Sequence, residues 1–194
     1  MIELFAREPR SPASEPIGNH GGIYKHDRLA TLAEREAISV PGDFCEIGCY
    51  SGGFTIRLAT LARRYGRRVI AIDPFPAGTP YRLAEEVRAG FQAAITPWPE
   101  IEWHQIDGND SVAVTQAIAG RRLCFGFADA TKEHEDVRAQ LAGLMPACDG
   151  LIVVDDAYVS AVLRACDEMA RERPGWVHLR LSRVSETYLL RSTP

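Results

Sequence analysis

The stretch from Asp43 to Arg57, DFCEIGCYSGGFTIR, decides how this chain folds. A short apolar strand carries an acid at Glu46, a glycine-rich turn follows from Gly48, and the pattern continues directly into a helix. After a parallel strand, the N–H groups at the start of such a helix can face a ligand, and glycine lets that ligand approach the backbone closely. The stretch therefore predicts a loop that binds a nucleotide-type cofactor.

The spacing of the glycines argues against a dinucleotide cofactor. The dinucleotide fingerprint G-x-G-x-x-G requires glycine where this chain has Tyr50 or Glu46. A second apolar segment, 69–73, closes with the carboxylate of Asp73 about 20 residues further on. The glycines and acids could also merely connect the strands of a doubly wound sheet. Their common register with one βαβ unit favours the cofactor loop.

These residues resemble the class I S-adenosylmethionine-dependent methyltransferases. The resemblance implies that Gly48 and Gly52 allow close approach of the methionine part of the cofactor. It also implies that Glu46 orients the loop and the amino end of the cofactor, and that Asp73 accepts hydrogen bonds from the ribose hydroxyls. The cofactor-binding residues implied around the glycine turn are Glu46, Gly48, Tyr50, Ser51, Gly52, Gly53 and Asp73.

A second loop, 108–111, is similar to the adenine loop of that family, which has a Gly-x-Ser type of pattern. Gly108 and Ser111 match the pattern, whereas Asn109 and Asp110 depart from it. All four are expected to contact the cofactor. Asp110 and Ser111 are also good N-cap residues for the helix predicted next. The two interpretations are compatible, and both stay open.

Hydrophobic periodicity predicts alternating strands and helices along the rest of the chain. The predicted parallel strands are 43–47, 69–73, 101–106, 123–129 and 151–155, and the helices are 26–39, 53–65, 81–95, 111–119, 132–145 and 160–172. A hairpin of 176–181 and 186–191 follows. Such alternation indicates a parallel sheet with crossover helices. The resemblance extends this to the Rossmann-like methyltransferase fold: α/β, doubly wound, seven strands, mostly parallel, with a C-terminal antiparallel hairpin.

Length and composition exclude several classes of protein. The chain has 194 residues, which suit one domain. We expect a flexible N-terminal segment, 1–22, rich in proline, serine and glycine, and a single methyltransferase domain, 23–194. The net charge of −4 comes from interspersed acids and bases, so nucleic acid is not expected as a partner.

Neither a membrane span nor a signal peptide is evident, so we expect no membrane partner and a cytoplasmic location. The five cysteines include no C-x-x-C pair, and neither cysteine nor histidine has the spacing of a zinc site. The cysteines are expected to be small buried residues. If the chain forms an oligomer, a homodimer is the default expectation.

Acids also follow two later strands. Asp129 closes the fourth predicted strand, and Asp155 and Asp156 close the fifth. If these strands are neighbours, the three carboxylates converge at one edge, where like charges raise one another's pKa unless a cation neutralises them. Mg²⁺ suits a site with few carboxylates and several waters or substrate oxygens. The alternative is that the acids are simply polar strand terminators.

The sequence from Asp129 to Lys132, followed by the Asp155–Asp156 pair, resembles the metal-dependent O-methyltransferases that act on catechols and caffeoyl-CoA. The resemblance implies Asp129, Asp155 and Asp156 as metal ligands. It implies Lys132 as the general base, so that Asp129 and Lys132 form the catalytic pair, with Asp129 also beside the cofactor.

Other segments, including 40–44 and 188–191, resemble the macrocin-type sugar O-methyltransferases. The resemblance to that group makes His134 an alternative to Lys132 as the general base. Each of the two could also be a solvated residue at the start of a helix.

The sequence thus predicts a methyltransferase that uses S-adenosylmethionine and Mg²⁺ and methylates a hydroxyl of a small-molecule acceptor. A sugar, a polyketide and a catechol-like acceptor all remain open. Two other classes stay possible: a metal-independent class I methyltransferase, and a catalytically inactive binding protein that keeps the cofactor fold.

Overall fold

The computed structural model describes residues 20–75, 84–181 and 184–192. Within these residues, six helices alternate with seven strands. The helices are α1 (His20–Ser39), α2 (Gly53–Tyr65), α3 (Ala84–Ile95), α4 (Ser111–Ile118), α5 (His134–Leu144) and α6 (Ser160–Glu172). The strands are β1 (Asp43–Ile47), β2 (Val69–Ile72), β3 (Ile101–His104), β4 (Leu123–Ala128), β5 (Cys148–Val154), β6 (Trp176–Arg180) and β7 (Thr187–Arg191).

The strands form one sheet in the order β3-β2-β1-β4-β5-β7-β6. The first five strands in this order are parallel, and β7 pairs antiparallel with both β5 and β6. The predicted doubly wound, seven-stranded sheet with its C-terminal hairpin is therefore confirmed. The strand order reverses between β1 and β4, and in open α/β sheets a ligand binds beyond the carboxyl ends of the strands at such a point.

Helices cover both faces of the sheet, which is why its central strands read as continuous apolar runs. On one face, Phe44 and Phe127 pack with side chains of α1 and α2, such as Leu58. On the other face, Ile47 and Ile152 pack with side chains of α4, α5 and α6. These two layers hold the carboxyl ends of β1, β2, β4 and β5 at one edge.

Several predicted boundaries shift. Strands β2, β4 and β5 each end one residue before the predicted acid, so Asp73, Asp129 and Asp155 are the first residues after their strands. Strand β5 begins at Cys148 rather than at 151. A Cβ on Gly150 would overlap the carbonyl oxygen of Cys124, so this glycine marks close strand packing and not a turn.

Helices α1 and α5 also start elsewhere than predicted, and the predicted start of α3, 81–83, lies outside the described residues. Helix α1 begins at His20 and includes Gly21 and Gly22, which were expected to end the N-terminal segment. Glycine lowers helix stability by about 1 kcal/mol relative to alanine but does not forbid a helix. Helix α5 begins at His134 rather than at 132. The hydroxyl of Thr131 accepts a hydrogen bond from the N–H of Glu133, a local turn that delays the helix.

The rest of the predicted N-terminal segment, 1–19, lies outside the described residues. All five cysteines are free and buried, as expected. None of the described helices combines the length and the apolar character that crossing a membrane requires.

Candidate functional site

The loop after β1 is the first part of the site. Gly48 has φ 90°, and its N–H donates a hydrogen bond of 2.9 Å to the carbonyl oxygen of Ile72. A Cβ on Gly48 would overlap the carbonyl oxygen of Asp129, so glycine is required for the loops after β1 and β4 to touch. Gly52, with φ 81°, is the N-cap residue of α2. The glycine turn and the acid after β4 are thereby in direct contact.

The carboxylate of Asp73 holds this loop in place. Its Oδ2 accepts hydrogen bonds from the N–H groups of Cys49, at 2.8 Å, and Tyr50, at 3.0 Å. Its Oδ1 accepts one from the N–H of Phe75, at 2.8 Å. Tyr50 and Phe75 both have φ 47°, in the left-handed region. A carboxylate can accept about four hydrogen bonds, so Asp73 retains room for a ligand hydroxyl at Oδ1.

Glu46 is a buried acid beneath the same loop, with 2% of its surface exposed. Its Oε2 accepts a hydrogen bond of 2.6 Å from the hydroxyl of Thr55 in α2. Burial raises the pKa of Glu46 to about 8; the charge of Asp73 adds to this rise, and Thr55 and Lys25 oppose it. A ligand ammonium group next to this carboxyl would favour its ionised form.

The remaining residues predicted to bind the cofactor lie on or near these loops. Tyr50 and Ser51 are exposed in the glycine turn, and Gly53 is the first residue of α2. In the second loop, a Cβ on Gly108 would overlap Cγ2 of Ile47, which fixes that loop against β1. Ser111 is the first residue of α4.

The structure confirms that Asp110 is the N-cap of α4. Its Oδ1 accepts hydrogen bonds from the N–H groups of Val112, at 2.9 Å, and Ala113, at 3.1 Å. The neighbouring Asn109 is held by the buried Gln140, whose Nε2 donates a hydrogen bond of 2.8 Å to its Oδ1. The side-chain oxygens Oδ1 of Asn109 and Asp110 are therefore engaged within the protein.

The three strand-end acids converge as predicted. One carboxylate oxygen from each of Asp129, Asp155 and Asp156 lies within 4.8 Å of those of the other two. Asp155 is 8% exposed, and its Oδ1 is buried without a hydrogen-bond partner among the described residues. Asp156 has φ 58°, a conformation unusual for a residue other than glycine. We call Asp129, Asp155 and Asp156 the acid cluster.

Lys25, on α1, contacts the acid cluster, although it was not among the predicted site residues. Its Nζ donates a hydrogen bond to Oδ2 of Asp155 and lies 3.4 Å from Oδ2 of Asp129. Burial would lower the pKa of Lys25, but Asp129 and Asp155 outweigh it and raise the pKa. Burial and the Asp155 carboxylate raise the pKa of Asp129, whereas Lys25 opposes this. The expectation that a cation neutralises the acids is thus met in part by the protein itself.

Of the two predicted candidate bases, Lys132 is the one beside the cluster. Its Nζ lies 3.1 Å from Oδ2 of Asp156 and donates a hydrogen bond of 2.8 Å to the hydroxyl of Tyr158. Tyr158 and Asp156 raise the pKa of Lys132. Both contacts favour the ammonium form of Lys132, which can stabilise negative charge, and its predicted role as the general base stays a prediction.

His134 points to other partners. Its Nε2 lies 2.9 Å from Oε2 of Glu168 in α6, and its Nδ1 lies 2.8 Å from Oε1 of Glu135. Both ring nitrogens are therefore engaged with carboxylates outside the acid cluster.

One signal in the sequence could have identified Lys25. The chain has 22 lysine and arginine residues, and only two of them are lysines, Lys25 and Lys132. Both contact the acid cluster. Lysine is a compact point charge, whereas arginine is a planar fork, so the two are not interchangeable at such a site.

A family model described as a methyltransferase domain matches residues 45–157, more than half of the chain. No curated protein sequence matches the chain.

Solved structures share the fold. A TDP-rhamnose 3'-O-methyltransferase of calicheamicin biosynthesis superposes with a TM-score of 0.63 at 16% identity, covering 97% of this chain and 98% of that one. The O-methyltransferase TomG from Streptomyces achromogenes, solved with SAM, gives 0.63 at 17% identity and covers 88% of this chain and 80% of its own. An SAH-bound methyltransferase from Podospora anserina gives 0.59 at 13% identity and covers 100% and 94%.

Proposed function

The chain belongs to the methyltransferase domain family, and from this premise we propose that it transfers a methyl group from S-adenosylmethionine to a hydroxyl oxygen of a small molecule. One observation carries the proposal. The glycine turn after β1 touches the backbone of Asp129 at the point where the strand order reverses, so a cofactor on that turn lies beside the acid cluster. Methyl donor and acceptor would then meet at one edge of the sheet.

The glycine turn and its two acids suit S-adenosylmethionine. The open acceptor capacity of Asp73 suits a ribose hydroxyl, and the buried carboxyl of Glu46 suits the ammonium group of the methionine part. Gly48, Tyr50, Ser51, Gly52 and Gly53 would line the methionine part. Gly108, Asn109, Asp110 and Ser111 would lie near the adenine, with the cap of Asp110 holding that loop. When bound, S-adenosylmethionine supplies the reactive methyl group itself.

The acid cluster suits a divalent cation such as Mg²⁺. It has three carboxylates within ligand distance of one another, and the buried Oδ1 of Asp155 has no partner among the described residues. Asp129, Asp155 and Asp156 would be the ligands. A bound Mg²⁺ would acidify and orient the acceptor hydroxyl. Lys132 and the exposed Tyr158 flank the cluster, where Lys132 would stabilise the negative charge of the acceptor oxygen.

A second candidate, metal-independent methyl transfer, is favoured by one specific observation. The Lys25 ammonium already contacts two of the three carboxylates and could itself attract the acceptor oxygen. The two candidates share the cofactor site and differ at the acid cluster. They predict different effects of a chelator: EDTA would stop turnover in the first case and leave it unchanged in the second.

The test of this function begins with the purified full chain and calorimetric titration of S-adenosylmethionine and its demethylated product. Transfer of a labelled methyl group is then measured on a panel of nucleotide sugars, polyketide phenols and catechols, with Mg²⁺ and with EDTA. Saturable micromolar binding and labelled product would support the methyltransferase proposal. EDTA-sensitive turnover would support Mg²⁺, and EDTA-resistant turnover the second candidate. Absence of cofactor binding would contradict both.

A further inference from the structure

Lys25 occupies the place where the proposed divalent cation would bind. Its Nζ contacts carboxylate oxygens of Asp155 and Asp129, two of the three proposed ligands, and lies 5.6 Å from the centroid of the Phe127 ring. We propose that the Lys25 ammonium is an internal counter-cation of the acid cluster, and that a divalent cation binds only by displacing it. This inference rests on the metal site of the proposed function.

Because of its charge, a divalent cation would replace the Lys25 ammonium at the acid cluster and would not bind beside it. The acid cluster carries up to three negative charges, and Lys25 and Lys132 bring two positive ones. A divalent cation within bonding distance of Asp155 would lie a few ångströms from the Lys25 ammonium. Two cations that close repel each other strongly in a half-buried site. The metal can therefore use Asp155 and Asp129 fully only after Lys25 leaves them.

The fold allows Lys25 to leave while α1 stays in place. Arg28, one turn further along α1, forms an ion pair with the fully buried Glu186, the residue before β7, and Leu29 and Ala33 lie in the core. These contacts hold the helix independently of Lys25. The side chain of Lys25 is 19% exposed and has a flexible four-carbon stem, so its ammonium has a route to solvent.

Such an exchange makes the metal site conditional. Without metal, Lys25 neutralises the neighbouring carboxylates of Asp155 and Asp129, which would otherwise repel one another. With metal bound, the Lys25 ammonium no longer contacts Asp155 and Asp129 and is free beside the acid cluster, where the acceptor would bind. Lys25 thus sets the metal concentration at which the site fills.

The direct test is Mn²⁺ binding, measured by titration calorimetry and by the electron paramagnetic resonance of free Mn²⁺, without cofactor or acceptor. We expect Lys25→Met to bind Mn²⁺ at least about tenfold more tightly than the unmodified chain, because the competing charge is gone. Lys25→Arg keeps the charge and is expected to stay close to the unmodified chain. Lys132→Met is the matched control: its lysine is 51% exposed and contacts Asp156 alone among the three acids, so a smaller change is expected.

Equal or weaker Mn²⁺ binding by Lys25→Met would overturn the inference. Absence of Mn²⁺ binding by every variant would overturn both the inference and the metal part of the proposed function. Methyl transfer that resists EDTA would still support the methyltransferase itself, so the two failures are distinguishable.

A second measurement needs no variant. Reductive methylation of the folded chain, followed by peptide mass spectrometry, reports how accessible each lysine amine is, and Lys132 serves as the internal reference. We expect Mn²⁺ to increase labelling of Lys25 severalfold relative to Lys132, because the displaced amine no longer hydrogen-bonds Asp155. Unchanged or reduced labelling of Lys25 at saturating Mn²⁺ would contradict the exchange.

Discussion

The hydroxyl of Thr55 donates a hydrogen bond of 2.6 Å to Oε2 of Glu46, beneath the loop that follows β1. Thr55 lies in the first turn of α2, so this bond ties the strand that carries Glu46 to the helix that follows the glycine turn. Burial raises the pKa of Glu46 to about 8, and the carboxyl is therefore mostly protonated at neutral pH. Release of the Glu46 proton can therefore be used to detect a cation that binds beside this carboxyl.

Cofactor binding is expected to release a proton from Glu46. At pH 6.5 the Glu46 carboxyl is mostly protonated, whereas the ammonium group of S-adenosylmethionine is charged, and their pairing favours the carboxylate. Calorimetric titration in buffers of different ionisation enthalpy should show release of up to about one proton per cofactor. Glu46→Gln should bind more weakly and release none. Binding by the unmodified chain without proton release would argue against this contact.

The same carboxyl is expected to make stability fall as pH rises. The pKa of Glu46 rises from 4.5 to about 8 on folding, so between these values the folded chain binds more protons than the unfolded one. The free energy of unfolding then decreases with increasing pH across this window. Glu46→Gln cannot ionise, and its amide oxygen can still accept the Thr55 hydrogen bond. The free energy of unfolding of Glu46→Gln minus that of the unmodified chain should therefore increase from pH 5 to pH 8, by on the order of a few kcal/mol in urea denaturation.

Asp73 and Asp155 are expected to separate cofactor binding from turnover. Asp73→Ala removes the acceptor of the Cys49 and Tyr50 N–H groups as well as the proposed ribose contact, and leaving a buried donor such as the Cys49 N–H unpaired costs about 1 to 3 kcal/mol. Its affinity for S-adenosylmethionine should fall about 100-fold or more. Asp155→Ala should keep cofactor affinity nearly intact and abolish turnover. Equal loss of binding in the two variants would contradict the division into a cofactor side and an acid-cluster side.

The order and type of the elements could be predicted because they depend on local patterns. Strand β1 and helix α2 were predicted to the residue, since an apolar run changes to helical spacing at a glycine turn. The convergence of Asp129 and Asp155 followed from a general rule, that the carboxyl ends of adjacent parallel strands meet at one edge. Both are consequences of sequence neighbours or of sheet geometry alone.

What could not be predicted depends on how distant elements pack. Lys25 is 104 residues from Asp129 and 130 from Asp155 along the chain, and no local pattern indicates how α1 is placed against the ends of β4 and β5. The contact between Lys132 and Tyr158 could not be predicted either, because it depends on the conformation of the loop after β5, which hydrophobic periodicity does not describe. The contacts between the two lysines and the acid cluster therefore had to be read from the structure, because the sequence motif around Asp129 does not predict them.

Gly48→Ala is expected to damage the site, because both the backbone conformation and the close contact with Asp129 require glycine at this position. Its φ of 90° is unfavourable for alanine, and the added methyl group would overlap the carbonyl oxygen of Asp129. Relief requires the loops after β1 and β4 to separate, which moves the cofactor turn away from the acid cluster. Gly66→Ala is the matched control: Gly66 also has a positive φ, of 64°, but its new methyl group would meet no atom within 4 Å.

The two variants share backbone strain, of roughly 1 to 2 kcal/mol, and differ in the clash. Thermal melting should therefore show a modest loss of stability for Gly66→Ala, with unchanged affinity for S-adenosylmethionine. Gly48→Ala should melt several degrees lower still and lose cofactor affinity at temperatures where it remains folded. If Gly48→Ala bound the cofactor as tightly as Gly66→Ala does, contact between these two loops would not be what brings donor and acceptor together.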